Sequence, residues 1–216
     1  ACITIIIFAP NLFRQPETVF KPEKENAMKT VAVIILEQFA DWESTLLTPV
    51  LQQFAGYTVR YVSTDRNPKT SMGNLRVQPD LTLDELPTDT AALILNGATQ
   101  SWRDLSDENR LKIADLVRTF KQQGKIVGGI CEGTYFLAAN GLLNDCRHTA
   151  NSLAAIADLP EYTNRQAYVE TKREAVRDGN VITANGMAFV DFALQILSAL
   201  DDVPEDLIAR CREMLQ

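Results

Sequence analysis

The chain has 216 residues, 46% hydrophobic and 23% charged, which is enough to bury one core. No apolar run approaches the roughly 20 residues that span a bilayer. Its 28 acidic residues outnumber 21 basic ones, and the net charge of −7 comes with no Lys/Arg stripe to follow a phosphate backbone, so neither nucleic acid nor membrane is an expected partner. Four cysteines, Cys2, Cys131, Cys146 and Cys211, lack paired spacing and read as thiols of a reducing, cytoplasmic compartment.

Residues 1–27 differ from the rest: a β-branched run at 3–7 precedes a polar, proline-interrupted stretch at 10–26. Two readings stay open. Either Met28 is the natural start, with Lys24-Glu25 lying where a ribosome-binding purine run would be translated, or residues 3–7 form a true strand that seeks a sheet edge. Residues 28–216 read as one domain in which short apolar runs alternate with helical periodicity, which predicts an α/β fold with a mainly parallel sheet covered on both faces. Strands are expected at 30–36, 58–64, 91–96 and 125–130, and helices at 42–54, 109–123, 133–140, 188–199 and 205–215. Gly73-Asn74 within the alternating stretch 71–79 predicts a β-hairpin. Arg177-Asp178-Gly179-Asn180 predicts the turn of a second β region at 167–183.

The sharpest local feature ends the fourth expected strand. Gly129-Ile130-Cys131-Glu132-Gly133 is a G-x-C-x-G nucleophile elbow, whose glycines let the backbone turn sharply and expose a cysteine held in a strained conformation. The helix that follows aims free N–H groups at the sulfur and favours the thiolate. Against this stands the ordinary role of a free cysteine as a small buried hydrophobe.

Five segments share one order with the motifs of the ThiJ/PfpI family. They are Val31-Ala32-Val33-Ile34-Ile35-Leu36 with Asp41-Trp42-Glu43, then Ala92-Leu93-Ile94-Leu95-Asn96-Gly97-Ala98, the elbow with Leu137-Ala138, Gly141-Leu142-Leu143, and Asp178-Gly179-Asn180-Val181-Ile182-Thr183-Ala184. The chain resembles that family from about residue 28 to 200. The resemblance implies a flavodoxin-like three-layer sandwich, related to the class I glutamine amidotransferase domain. It implies that Cys131 is a nucleophile with the Glu43 carboxylate beside it, and that the amides of Gly97 and Ala98 join the N–H of Glu132 in an oxyanion pocket. It also implies a homodimer and a small-molecule substrate, with no cofactor. On electrostatic grounds a thiolate and an ionised carboxylate repel, so the pair should share one proton, held by Glu43 with the sulfur as the anion and the thiol below its ordinary range.

The departures bear on function. Where hydrolytic members carry Thr-x-His, this chain reads Thr149-Ala150-Asn151, and an amide cannot shuttle a proton. Its only histidine, His148, is expected at the surface, on the face opposite Asn151. Glu132 stands where the protease-like branch has histidine and opposes thiolate formation unless it points to solvent. A glutamine amidotransferase would need a downstream His-x-Glu, which is absent, and one histidine with dispersed cysteines offers no metal-ligand spacing. Three functions stay open: a cysteine-dependent hydrolase or glyoxalase/deglycase-like enzyme on small carbonyl or amide compounds, a redox-responsive or chaperone-like stress protein, and a non-catalytic binding domain.

Overall fold

The computed structural model describes residues 29–214, so the expectations for residues 1–27, the strand at 3–7 and Met28 as the start lie outside the described residues. In chain order the elements are β1 (Thr30–Ile34), α1 (Leu47–Gln53), β2 (Thr58–Ser63), β3 (Lys69–Thr70), β4 (Arg76–Val77), β5 (Leu81–Thr82), β6 (Ala92–Leu95), α2 (Asp107–Gln122), β7 (Ile126–Ile130), α3 (Glu132–Ala139), α4 (Leu153–Ile156), β8 (Val176–Asp178), β9 (Val181–Ala184), α5 (Phe189–Ala199) and α6 (Glu205–Met214). Every residue of β1, β6, β7 and β9 is buried, as expected of strands covered on both faces.

Seven strands pair in the order β5-β2-β1-β6-β7-β9-β8, parallel throughout except for β8 at the edge. From β1 the chain moves one way to β2 and the other way through β6, β7 and β9, and right-handed crossovers then put helices on opposite faces. Gly128 and Gly129 of β7 show both faces covered: an added Cβ would meet Phe192 of α5 at the first and Leu137 of α3 at the second. This is the flavodoxin-like sandwich, with its topological switch between β1 and β6.

Two local expectations change. The helix expected at 42–54 is a 3-10 turn, Asp41–Ser44, followed by α1. Pro49 explains the break. In a helix begun at residue 42 its missing N–H and its ring would disrupt an interior turn, whereas as the third residue of α1 it has no intrahelical bond to lose. The second β region narrows to β8–β9 around Gly179, with no strand at 167–175 beyond a single bridge between Tyr168 and His148. The hairpin β3–β4 forms around residues 71–75, with Asn74 in the left-handed region.

Candidate active site

Strand register brings four loops together. Ile34 lies beside Leu95, Leu95 beside Gly129, and Ile130 beside Ala184, so the segments leaving β1, β6, β7 and β9 meet at the carboxyl edge, where such folds bind ligands. Cys131 stands at their centre with φ 54° and ψ −123°, a conformation costly for any residue with a Cβ. It is pinned there: its N–H donates to Ala184 O at 3.0 Å, and its carbonyl accepts from the N–H and hydroxyl of Thr134. Gly133 must lack a side chain, because a Cβ would run into the Leu95 carbonyl.

Glu43, at the end of the 3-10 turn after β1, is 1% exposed and lies beside the sulfur. Its Oε2 accepts from the Gly97 N–H at 2.7 Å, while Oε1 is buried with no partner. Burial pushes this carboxyl up to about 7. Burial also pushes the Cys131 thiol up to about 12, and a charge on Glu43 pushes the same way, so the expected depression of the thiol meets a substantial opposing cost. The two titrations belong to one pair. Burial thus disfavours the charged form of both groups, and ionisation of either opposes that of the other.

The sulfur accepts from Asn151 Nδ2 at 3.3 Å, and the neighbouring Glu132 N–H favours its anion. The orientation of Asn151 is set by its other end, since Oδ1 accepts from the Gly186 N–H at 3.0 Å. Of the three amides expected in an oxyanion pocket, that of Gly97 is already engaged by Glu43, because the two sit so close that a Cβ on Gly97 would collide with both carboxyl oxygens and come 2.8 Å from Cys131 Cβ. The N–H of Ala98 has no acceptor among the described residues, and that of Glu132 faces the sulfur. The Glu132 carboxylate is turned to Arg103, whose Nε donates at 2.9 Å and Nη2 at 3.3 Å.

His148 is fully buried, not at the surface. Its Nδ1–H donates to Cys146 O at 2.9 Å, its Nε2 accepts from the Tyr162 hydroxyl at 2.7 Å, and burial lowers its pKa. Neither ring nitrogen bonds to a site residue.

Gly186 and Arg103 escaped the sequence reading, and Trp42 entered it only as part of a family motif. A Cβ on Gly186 would lie 3.2 Å from the sulfur, and the Gly186 carbonyl accepts from the Trp42 indole N–H at 3.2 Å. The available signal was Asn185-Gly186 directly after a strand adjacent to the elbow strand. Among the described residues no group of three His, Cys, Asp or Glu side chains comes together to hold a metal, and no helix is long and apolar enough to cross a membrane.

Comparison with known proteins finds the DJ-1/PfpI family profile matching residues 29–199. A Bacillus subtilis protein named an uncharacterised protease, YdeA, is 35% identical over 181 residues, covering 83% of this chain and 88% of that protein. An isonitrile hydratase of Pseudomonas putida is 29% identical over 171 residues, 79% of this chain and 71% of that protein. The crystal structure of a DJ-1 superfamily protein from Agrobacterium tumefaciens superposes with a TM-score of 0.77 at 35% identity, over 86% of this chain and 97% of that one.

Proposed function

Because the chain belongs to the DJ-1/PfpI family, we propose that it is a cysteine-dependent enzyme acting on small electrophilic carbonyl or amide compounds, with Cys131 as the nucleophile. The observation that carries this reading is the unpartnered Oε1 of Glu43, a buried carboxyl oxygen beside a strained, half-buried thiol. A carboxyl so placed is best satisfied when it carries the proton and donates it toward sulfur. The sulfur then adds to the substrate carbonyl carbon, the π pair moves to oxygen, and the Glu43 proton ends on that oxygen. The product is a thiohemiacetal with no change in oxidation state. The N–H of Ala98 supports the oxygen as charge develops, and Asn151 supports the sulfur before attack.

The relatives' names divide on this point. Hydration of an isonitrile concerns a small molecule. Proteolysis needs a proton for an amine leaving group, and the only imidazole faces Tyr162. Turnover of a small dicarbonyl that disappears in Cys131→Ser, together with loss of iodoacetamide alkylation at that residue, is the expected result; undiminished turnover in Cys131→Ser overturns the reading.

A second reading is favoured by the exposure of the thiols. Of the three described free cysteines only Cys131 is not buried, so peroxide would select it for reversible oxidation. Selective oxidation without any turnover would favour a redox-responsive or chaperone-like stress protein. A homodimer in a reducing cytoplasm belongs to the same proposal, and a monomer mass by sedimentation at micromolar concentration would refute the dimer.

A further inference from the structure

Glu132 sets the elbow a problem. Its N–H favours the sulfur as the anion, yet its carboxylate is a further negative charge beside the Glu43–Cys131 pair, and that charge reaches Glu43. Arg103 answers it from another part of the chain. It follows the 3-10 turn Gln100–Trp102 that continues the Gly97 loop, and it clamps Glu132 through two nitrogens at 2.9 and 3.3 Å. The guanidinium also lies 3.9 Å from the Tyr135 ring centroid, so the fork is held from below by α3 and from the side by the carboxylate. The adjacent Trp102 packs on Phe136 with ring centroids 4.9 Å apart and planes tilted by 49°, and ties the same turn to the same helix.

We propose that Arg103 is a positioning residue for Cys131: by neutralising Glu132 and holding it to the Tyr135 face, it lets the elbow keep the Glu132 N–H at the sulfur without the repulsion of a second free carboxylate. The pair is partly open to water, with Arg103 36% and Glu132 17% exposed, so as a brace for the fold it contributes little. Its place one residue from the nucleophile gives it an electrostatic role instead. Among the described residues, the other groups brought to the sulfur are uncharged. The loop after β9 brings Asn185, Gly186 and Met187, the segment before α4 brings Asn151, and His148 is turned to Tyr162, which leaves Glu43, Glu132, Arg103 and Tyr135 as the titratable or charged groups of the cluster.

The inference rests on Cys131 being a reactive thiol and is tested on the full chain by the pH dependence of iodoacetamide alkylation at Cys131, resolved by mass spectrometry. Arg103→Met should slow alkylation at neutral pH by about tenfold and move the profile to higher pH, as expected for an unneutralised carboxylate on the residue next to the nucleophile. Arg103→Lys, which keeps the charge, should retain most of the rate. The double variant Arg103→Met/Glu132→Gln should recover the wild-type profile, because the charge that needed neutralising is gone. An unchanged profile in Arg103→Met, or a double variant as slow as the single one, overturns the electrostatic role. Failure of wild-type Cys131 to react at all would instead refute the reactive-thiol reading, so the two failures are distinguishable.

Discussion

Two residues three positions apart divide the labour in opposite ways. His148 has the side chain suited to proton transfer, yet it is sealed between Cys146 O and the Tyr162 hydroxyl, with Tyr168 edge-on. Asn151 has no proton to give at neutral pH, yet it touches the sulfur and holds Gly186 in place. Chemical aptitude and position are separate properties. The segment 146–151 runs from core to rim, and only the rim end reaches the elbow.

The largest expected effect separates these roles by stability. His148→Ala would open a cavity and leave the Tyr162 hydroxyl only its longer bond to Asn164 O, costing about 3 kcal/mol, or a fall in Tm of roughly 6–12 °C for a domain of this size. The alkylation profile of Cys131 should stay unchanged; a shifted profile would mean that His148 serves the site and would break the contrast.

A similar energy is expected at Glu43, but only over part of the pH range. Its pKa rises from 4.5 to about 7 on folding, so the native protein holds that proton more tightly than the unfolded chain. The associated stability is complete below about 4.5 and is lost as pH climbs through about 7, beyond which the buried charge costs about 3 kcal/mol. Glu43→Gln cannot ionise. It should match wild type in Tm near pH 4 and exceed it by several degrees at pH 8, and a pH-independent difference would show that Glu43 does not carry the shared proton.

Replacing the amide by an imidazole sharpens the contrast next. Asn151→His would supply a proton shuttle at the rim and should raise hydrolytic turnover of a small ester or dicarbonyl by up to roughly a hundredfold. No gain, with the imidazole shown to lie at the sulfur, would mean that proton transfer does not limit this site. The smallest effect is expected for Asn151→Ala, which removes one donor to sulfur and the acceptor of the Gly186 N–H. Alkylation at neutral pH should slow by about tenfold with Tm nearly unchanged, because the side chain is exposed. A Tm loss as large as that of His148→Ala would erase the distinction between the two residues.

Much of the fold was legible because its signals are local. Strands β1, β2, β6 and β7 are short apolar runs, the turns at Asn74 and Gly179 carry the residues that left-handed backbone favours, and glycines flank Cys131 where the elbow needs them. The helix expected at 42–54 failed on a signal that was present but underweighted, Pro49. His148 and the Gly97 amide failed for another reason. Burial of an imidazole, or capture of an amide by a carboxylate 54 residues away, depends on which loops meet.

By itself, then, the sequence determined the alternation of strands and helices, the elbow and the absence of histidine from the Thr-x-His position, since these follow from residues adjacent in the chain. Tertiary structure alone decided that Glu43 Oε1 is left unpartnered, that Arg103 neutralises Glu132, and that Gly186 closes over the sulfur. These contacts join loops after four different strands, and their distances and burial are set by sheet register, which no local pattern encodes.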